Sequence, residues 1–259
     1  MPQALVTGGT AGIGAAFARA LAARGYDLVL VARTATRLEQ FAAELRSGGR
    51  QVEVIAADLG VRADVERVAA RLGDTERPID LLVNNAGYGM KSRLGNPDLA
   101  EADDALDVMI RTPLVLSAAV VPGMRERGRG AIINVASVAG YLSMGLYSSI
   151  KAWVTTYSES LANELHGSGV TVTCLMPGWV RTEFHERASI SSSSIPNSLW
   201  LNAEDLVRVS LRDMDRGRVI SIPSVRYGLL SWLLRHLPRS TVRAVSRRIS
   251  LSRSRAASD

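Results

Sequence analysis

Lysine is rare in this chain. Of its 31 basic residues 29 are arginine, and only Lys91 and Lys151 are lysine. Lys151 closes the segment YSSIK, four residues after Tyr147, and residues at that spacing share one face of a helix. A free tyrosine has a pKa of about 10 and exchanges protons poorly at neutral pH. A nearby ammonium favours the phenolate, so Lys151 is expected to lower the pKa of Tyr147 toward the range useful for acid–base catalysis. Lysine also offers a compact head with three donors, whereas an arginine fork is larger and spreads its charge. Taken alone, the pair is equally an exposed pair on a helix. Ten residues before the tyrosine, Ser137 ends the run AIINVAS. The C-terminal end of such a strand is where open α/β sheets build their sites. Ser143, a second hydroxyl, falls on the connecting loop, and Ser137 is the preferred candidate.

A second chemical signal lies at the start of the chain. The stretch TGGTAGIG, Thr7 to Gly14, joins an apolar run to a helical pattern. Glycines at 8, 12 and 14 let the backbone turn tightly and approach a pyrophosphate, while the following helix N-terminus offers free N–H groups to the anion. Thr10 and Ile13 belong to the same candidate loop. The competing reading is a plain tight turn.

These residues must be positioned by regular elements, and the hydrophobic pattern supplies them. Short apolar runs, ALVTG, DLVLVAR, VEVIAAD, IDLLVNNAG, AIINVAS and VTVTCLMPG, alternate with helical patterns, and RVISIP is a candidate seventh strand. Helices are expected after Gly12, over ATRLEQFAAELRSGG, over 63–72, over 100–127 and over 147–166. Pro113 is expected to kink the long helix. This alternation predicts an α/β fold: a doubly wound parallel sheet of about seven strands with helices on both faces. We expect one catalytic domain over residues 1–224, including a lid at about 183–202, and a basic amphipathic extension over 225–259.

Composition narrows the function classes. With 259 residues and 47% apolar content the chain can fill one large core. No run of the roughly 18 apolar residues of a membrane span is evident. The start MPQALVTGGT lacks a basic segment followed by an apolar one, so no signal peptide is expected. Cys174 is the single cysteine, which excludes an internal disulfide and suits a reducing cytosol. The expected location is cytoplasmic, with membrane association open through the tail. His166, His185 and His236 show no metal-ligand spacing. The net charge of +6 is uneven: residues 1–215 carry −3, while 216–259 hold ten arginines and one acid, Asp259. That tail is open to three readings: a solubilising end, a helix lying on an anionic membrane with Val242, Val245 and Ile249 as its apolar face, and a subunit contact. Nucleic acid is not an expected partner, because no recognition motif accompanies the arginines.

The glycine loop with spacing G-x-x-x-G-x-G, NNAG at Asn84–Gly87, and YSSIK occur in the order seen in the short-chain dehydrogenase/reductase family, which this chain resembles from about Ala4 to Thr182. The resemblance implies hydride transfer between a nicotinamide cofactor and a carbonyl or secondary alcohol. Tyr147 would exchange the proton, Ser137 would hold the substrate oxygen, and Lys151 would bind the nicotinamide ribose and tune Tyr147. It further implies that Asp58 and Leu59 bracket the adenine. Asn85, Ala86 and Gly87 would follow the adenosine ribose, and Pro177, Gly178, Val180 and Thr182 would hold the nicotinamide. Family members that use NAD tend to carry an aspartate at the place of Ala32; here Arg33 follows, with Arg37 one turn on, so NADP(H) is expected over NAD(H). Two departures stand out. The gap from serine to tyrosine is shorter than the family's, and Met109 occupies the place of a family asparagine that holds an ordered water. Trp179, Phe184, Ile195, Leu199, Trp200 and Leu201 suggest a hydrophobic substrate such as a fatty, steroid-like or aromatic ketone. The alternatives are a 3-oxoacyl thioester substrate, a nucleotide-sensing regulator without turnover, or a membrane-surface adaptor. Family resemblance also implies a homodimer or homotetramer joined by the two long helices.

Overall fold

The structure is a computed structural model that describes residues 1–90, 94–182 and 196–256, with side chains to residue 249. Lys91, Phe184, His185, Ile195 and most of the expected lid lie outside the described residues. Seven strands form one parallel sheet: β1 (Gln3–Thr7), β2 (Asp27–Ala32), β3 (Val52–Ala56), β4 (Leu81–Asn84), β5 (Gly130–Val135), β6 (Val170–Leu175), and a last strand, Ile220–Ser221. Their order is β3-β2-β1-β4-β5-β6 followed by that last strand. Register is set centrally, with Val6 opposite Leu30 on one side and Val83 on the other. The chain reverses direction across the sheet between β1 and β4, so a crevice opens beyond their carboxyl ends.

The apolar runs are continuous because both sheet faces are covered. Ala4, Val6, Leu28 and Leu30 pack toward α1 (Gly12–Ala23), α2 (Ala35–Ser47) and α7 (Ala203–Asp215). Their neighbours Leu5, Val29 and Val31 point the other way. They meet α3 (Arg62–Leu72), α5 (Thr112–Glu126) and α6 (Leu146–Glu164). The seven expected strands and the doubly wound arrangement are therefore present.

Three features depart from the sequence reading. The helix expected over 100–127 is present but not uniform: α4 (Ala100–Leu106) passes through a π-helical turn, Asp107–Arg111, and continues as α5. Pro113 lies in the first turn of α5, where its missing N–H is harmless, and the helix absorbs the mismatch just upstream. Residues 100–126 also form, contrary to expectation, a helix long and apolar enough to cross a membrane. Its role is internal here, since Leu116, Val120 and Met124 are fully buried against the sheet. Finally, a small parallel pair joins β7 (Trp179–Val180) to β8 (Trp200–Leu201). The last sheet strand, Ile220–Ser221, is thus β9. Two further helices, α8 (Val225–His236) and α9 (Arg239–Ala256), complete the chain.

Candidate active site

The glycine loop is held in place from behind. Thr7, at the end of β1, accepts through Oγ1 from the backbone N–H groups of Asn85 (2.9 Å) and Ala86 (3.1 Å). The Asn85 side-chain amide donates back to the Thr7 carbonyl at 2.9 Å. The loop after β4 is thereby clamped to the loop after β1. Gly12 has φ 52°, a left-handed conformation that a side chain would strain, and the Thr182 side chain lies 3.0 Å from where a Cβ would stand. Gly14 is held more tightly. A Cβ there would lie 2.1 Å from the Gly8 carbonyl oxygen and 2.6 Å from Asn85 Nδ2. Gly14→Ala must therefore push the loop off the helix. We expect Tm to fall by roughly 3–10 °C in thermal denaturation; an unchanged Tm would show that the close approach is not a constraint.

Helix α1 starts without a side-chain cap and without an acid in its first turn. Its first N–H groups thus have no capping side chain, which suits an anion. These observations fit a bound pyrophosphate, which Gly8, Thr10, Gly12 and Ile13 would hold.

The reactive side chains stand at the opposite end of the same crevice. Ser137 follows β5; its Oγ accepts from the Ala139 N–H at 3.1 Å and donates to the Pro177 carbonyl at 3.4 Å. Helix α6 brings Tyr147 and Lys151 onto one face, with the Lys151 Nζ 5.6 Å from the centroid of the tyrosine ring. The Ser137 hydroxyl lies close enough to that of Tyr147 to favour its ionised form. Lys151 is buried and donates to the Val135 carbonyl at 2.9 Å. Beneath them, Asn84 donates to Asn134 (2.9 Å), and Asn134 donates to Ser158 of α6 (3.0 Å). This buried chain fixes α6 against β4 and β5.

Burial dominates the electrostatics. Desolvation pushes Tyr147 up to about 12, an effect that the neighbouring Ser137 hydroxyl only partly offsets. Desolvation also pushes Lys151 down to about 8. The expectation that Lys151 lowers the tyrosine pKa is therefore not met in this geometry. Both charged forms are disfavoured by the same low-dielectric wall, and the ammonium is directed to a carbonyl rather than to the phenol.

One cavity of about 710 Å³ unites these groups. Its wall includes Gly8, Thr10, Gly12, Ile13, Arg33, Asp58, Leu59, Asn85, Ala86, Gly87, Ser137, Tyr147, Lys151, Pro177, Gly178, Val180 and Thr182. Gly14 sits behind the loop rather than on the wall. Arg37 also reaches the cavity, beside Arg33. Met109 is buried in the π-helical turn, its sulfur 3.1 Å from where a Cβ on Gly87 would stand. Trp179 lines the wall and contacts Trp200 of β8 at 6.1 Å between ring centroids.

The sequence reading missed four contributors. Thr7 lies inside the quoted motif, and its clamp role could have been suspected from a hydroxyl at a strand end. Tyr227 and Leu230 of α8 and Ile249 of α9 also line the cavity, and nothing local signals them. The Tyr227 hydroxyl accepts from the Trp179 N–H (3.1 Å) and donates to the Leu199 carbonyl (2.8 Å). Its ring occupies the space that a side chain at Gly178 would need, within 2.1 Å of a Cβ there.

Comparison with known proteins agrees with this geometry. The family model for the short chain dehydrogenases matches residues 2–191. A very-long-chain 3-oxoacyl-CoA reductase of Anas platyrhynchos is 33% identical over 248 residues, covering 92% of this chain and 77% of that protein. A short-chain dehydrogenase from Sphingobium yanoikuyae, solved in complex with NADPH, superposes with a TM-score of 0.82 at 34% identity, covering 92% of this chain and 97% of that one. A bulky-bulky ketone specific alcohol dehydrogenase from Comamonas testosteroni gives a TM-score of 0.79 at 30% identity, covering 92% and 95%. The match extends through the glycine loop, Ser137, Tyr147 and Lys151, and the chain belongs to the short-chain dehydrogenase/reductase family, as an oxidoreductase acting on alcohol and carbonyl groups.

Proposed function

We propose that this protein is an NADP(H)-dependent reductase of hydrophobic ketones, working in reverse as a secondary alcohol dehydrogenase. The observation that carries the reading is the placement of Ser137, Tyr147 and Lys151 on the wall of a cavity continuous with the glycine loop. When bound, the dinucleotide supplies or accepts the hydride. Ser137 orients the substrate oxygen, its own Oγ held by the Ala139 N–H. Tyr147 exchanges the proton with that oxygen. A phenol pushed up to about 12 stays protonated at neutral pH and is ready to donate, which suits the reducing direction. Lys151, fixed by the Val135 carbonyl on the cavity wall, would bind the nicotinamide ribose with its remaining donors. Pro177, Gly178, Val180 and Thr182 would hold the nicotinamide, with Tyr227 bracing Gly178 from behind.

The cofactor preference follows from charge. No acid stands at Ala32, and Arg33 and Arg37 line the adenosine end of the cavity, where a 2′-phosphate would be paired. The Sphingobium relative was solved with NADPH, which supports this assignment. The preference for an apolar substrate rests on Leu142, Met144, Trp179, Leu230 and Ile249, which give the open end of the cavity a largely hydrophobic lining. The ketone-specific Comamonas enzyme supports a bulky ketone, and the Anas enzyme supports the second reading, a 3-oxoacyl thioester. Self-association through α5 and α6 is part of the proposal; Leu114 is exposed on the first, and Trp153 and Tyr157 stack on the second at 4.8 Å.

The test is consumption of NADPH and NADH across a panel of ketones, aldehydes and 3-oxoacyl thioesters. We expect kcat/KM for NADPH to exceed that for NADH by about 10- to 100-fold, the worth of one charge-assisted contact, and Arg33→Ala to remove most of that ratio. Equal values in the wild type would overturn the cofactor assignment. Absence of turnover with every carbonyl would favour a nucleotide sensor, the reading to which Met109 lends weight.

A further inference from the structure

Helix α8 is anchored on one side only. Tyr227, Ser231 and Leu234 are buried, whereas Val225, Leu229, Trp232 and Leu233 emerge on the opposite face. Leu229 and Trp232 are 67% and 57% exposed, and Trp232 meets the ring of His236 at a tilt of 32°. The sequence had suggested α9 as the helix with a free apolar face. The structure turns most of that face inward: Val242 is fully buried, Ile249 lines the cavity and Ser246 accepts from the Ser143 N–H at 3.0 Å, while Val245 alone of the three stays exposed. The unpartnered apolar surface thus belongs to α8, and arginines surround it in the chain. Arg226 stands at its start, Arg235 and Arg239 at its end, and Arg243 and Arg247 follow along an exposed edge of α9.

Charge decides what such a surface can meet. Residues 216–259 hold ten arginines against one acid, so a two-fold contact through α8 would bring two strongly positive segments together. An anionic bilayer presents the opposite charge, with an apolar layer at the depth that leucine and tryptophan side chains reach. We propose that α8 docks this protein on an anionic membrane surface, its Val225–Leu229–Trp232–Leu233 face entering the interface and the arginines meeting the headgroups. Leu230 of α8 and Ile249 of α9 line the cavity, so docking sets its mouth beside the acyl layer. An apolar ketone dissolved in the bilayer would then enter without crossing water. This last step rests on the hydrophobic-substrate reading given above.

The experiment compares the full-length wild type with the triple variant Leu229→Ser, Trp232→Ser, Leu233→Ser, none of which lines the cavity. Co-sedimentation is measured with phosphatidylcholine vesicles containing or lacking phosphatidylserine, at low and high salt. Wild type should bind the anionic vesicles at least about tenfold more tightly than neutral ones, and the variant should lose at least about tenfold. High salt should weaken wild-type binding, and Trp232 emission should shift to the blue on binding. Equal partition of the two proteins overturns the proposal, as does a wild type that stays in the supernatant with both vesicle types. So does a wild-type dimer that the variant converts to monomer, since a second copy would then be the occupant. Unchanged circular dichroism separates loss of docking from loss of folding. Binding is read without turnover, and turnover on a water-soluble ketone is read without vesicles, so failure of docking and failure of the reductase reading are distinguishable.

Discussion

Tyr147→Phe is expected to abolish turnover, with a loss of about 10³-fold or more, and to leave dinucleotide affinity almost unchanged. The substitution removes one hydroxyl and keeps the ring, which packs among the apolar residues between β4, α5 and α6. The neighbouring Ser137 hydroxyl keeps its contacts with Ala139 and Pro177. Lys151 keeps its bond to Val135. Steady-state rates, together with a fluorescence titration of the reduced cofactor, measure both halves. Retained turnover would remove Tyr147 from the proton path and leave Ser137 or water as the donor. Loss of cofactor affinity in parallel would show that the phenol serves binding rather than proton exchange.

Lys151→Met should produce an inactive protein that is more stable than the wild type near pH 7. Burial lowers the pKa of Lys151 from 10.5 to about 8 in the folded chain. Below pH 8 the lysine is protonated in both states, and the folded protein carries the full cost of a buried ammonium, about 3 kcal/mol at 1.36 kcal/mol per unit. From pH 8 to 10.5 the unfolded chain binds more protons than the folded one, so wild-type stability rises with pH as this cost fades. Methionine removes the charge and keeps most of the volume, but leaves the Val135 carbonyl without its donor, at about 1 kcal/mol. The variant should therefore melt a few degrees higher at pH 7, lose that advantage as pH approaches 10.5, and then fall slightly below the wild type. Thermal denaturation across this range checks the prediction. A lower Tm at pH 7 would mean that the lysine's contacts outweigh its desolvation. A buried cation retained at such a cost is expected where function, rather than folding, requires it.

Much of the site could be read along the chain because its determinants are local. TGGTAGIG specifies a strand end, a turn with left-handed backbone at Gly8 and Gly12, and a helix start, all within eight residues. YSSIK places two side chains on one helix face by spacing alone. The strands from β1 to β6 are short apolar runs ended by a glycine or a polar residue, and any sheet that buries both faces requires such runs. Ser137 was identifiable because it ends one of them.

What stayed hidden depends on contacts between residues far apart. Pro113 pointed to a kink in the long helix, but not to a π-helical turn that seats Met109 against Gly87. The apolar positions of α9 resembled a membrane-facing stripe until Val242 and Ser246 proved to be packed on the body of the protein. Tyr227 joins the site from 49 residues beyond Gly178, and no motif marks it. Sequence by itself thus determined the sheet, the tight glycine turn and the candidate trio that the fold brings to one cavity wall, because spacing and side-chain chemistry act over a few residues. Tertiary structure decided the local pKa values, the wall contributed by α8 and α9, and which apolar face remains exposed. Desolvation and packing are properties of what surrounds a group, and for this protein those surroundings come from distant segments of the chain.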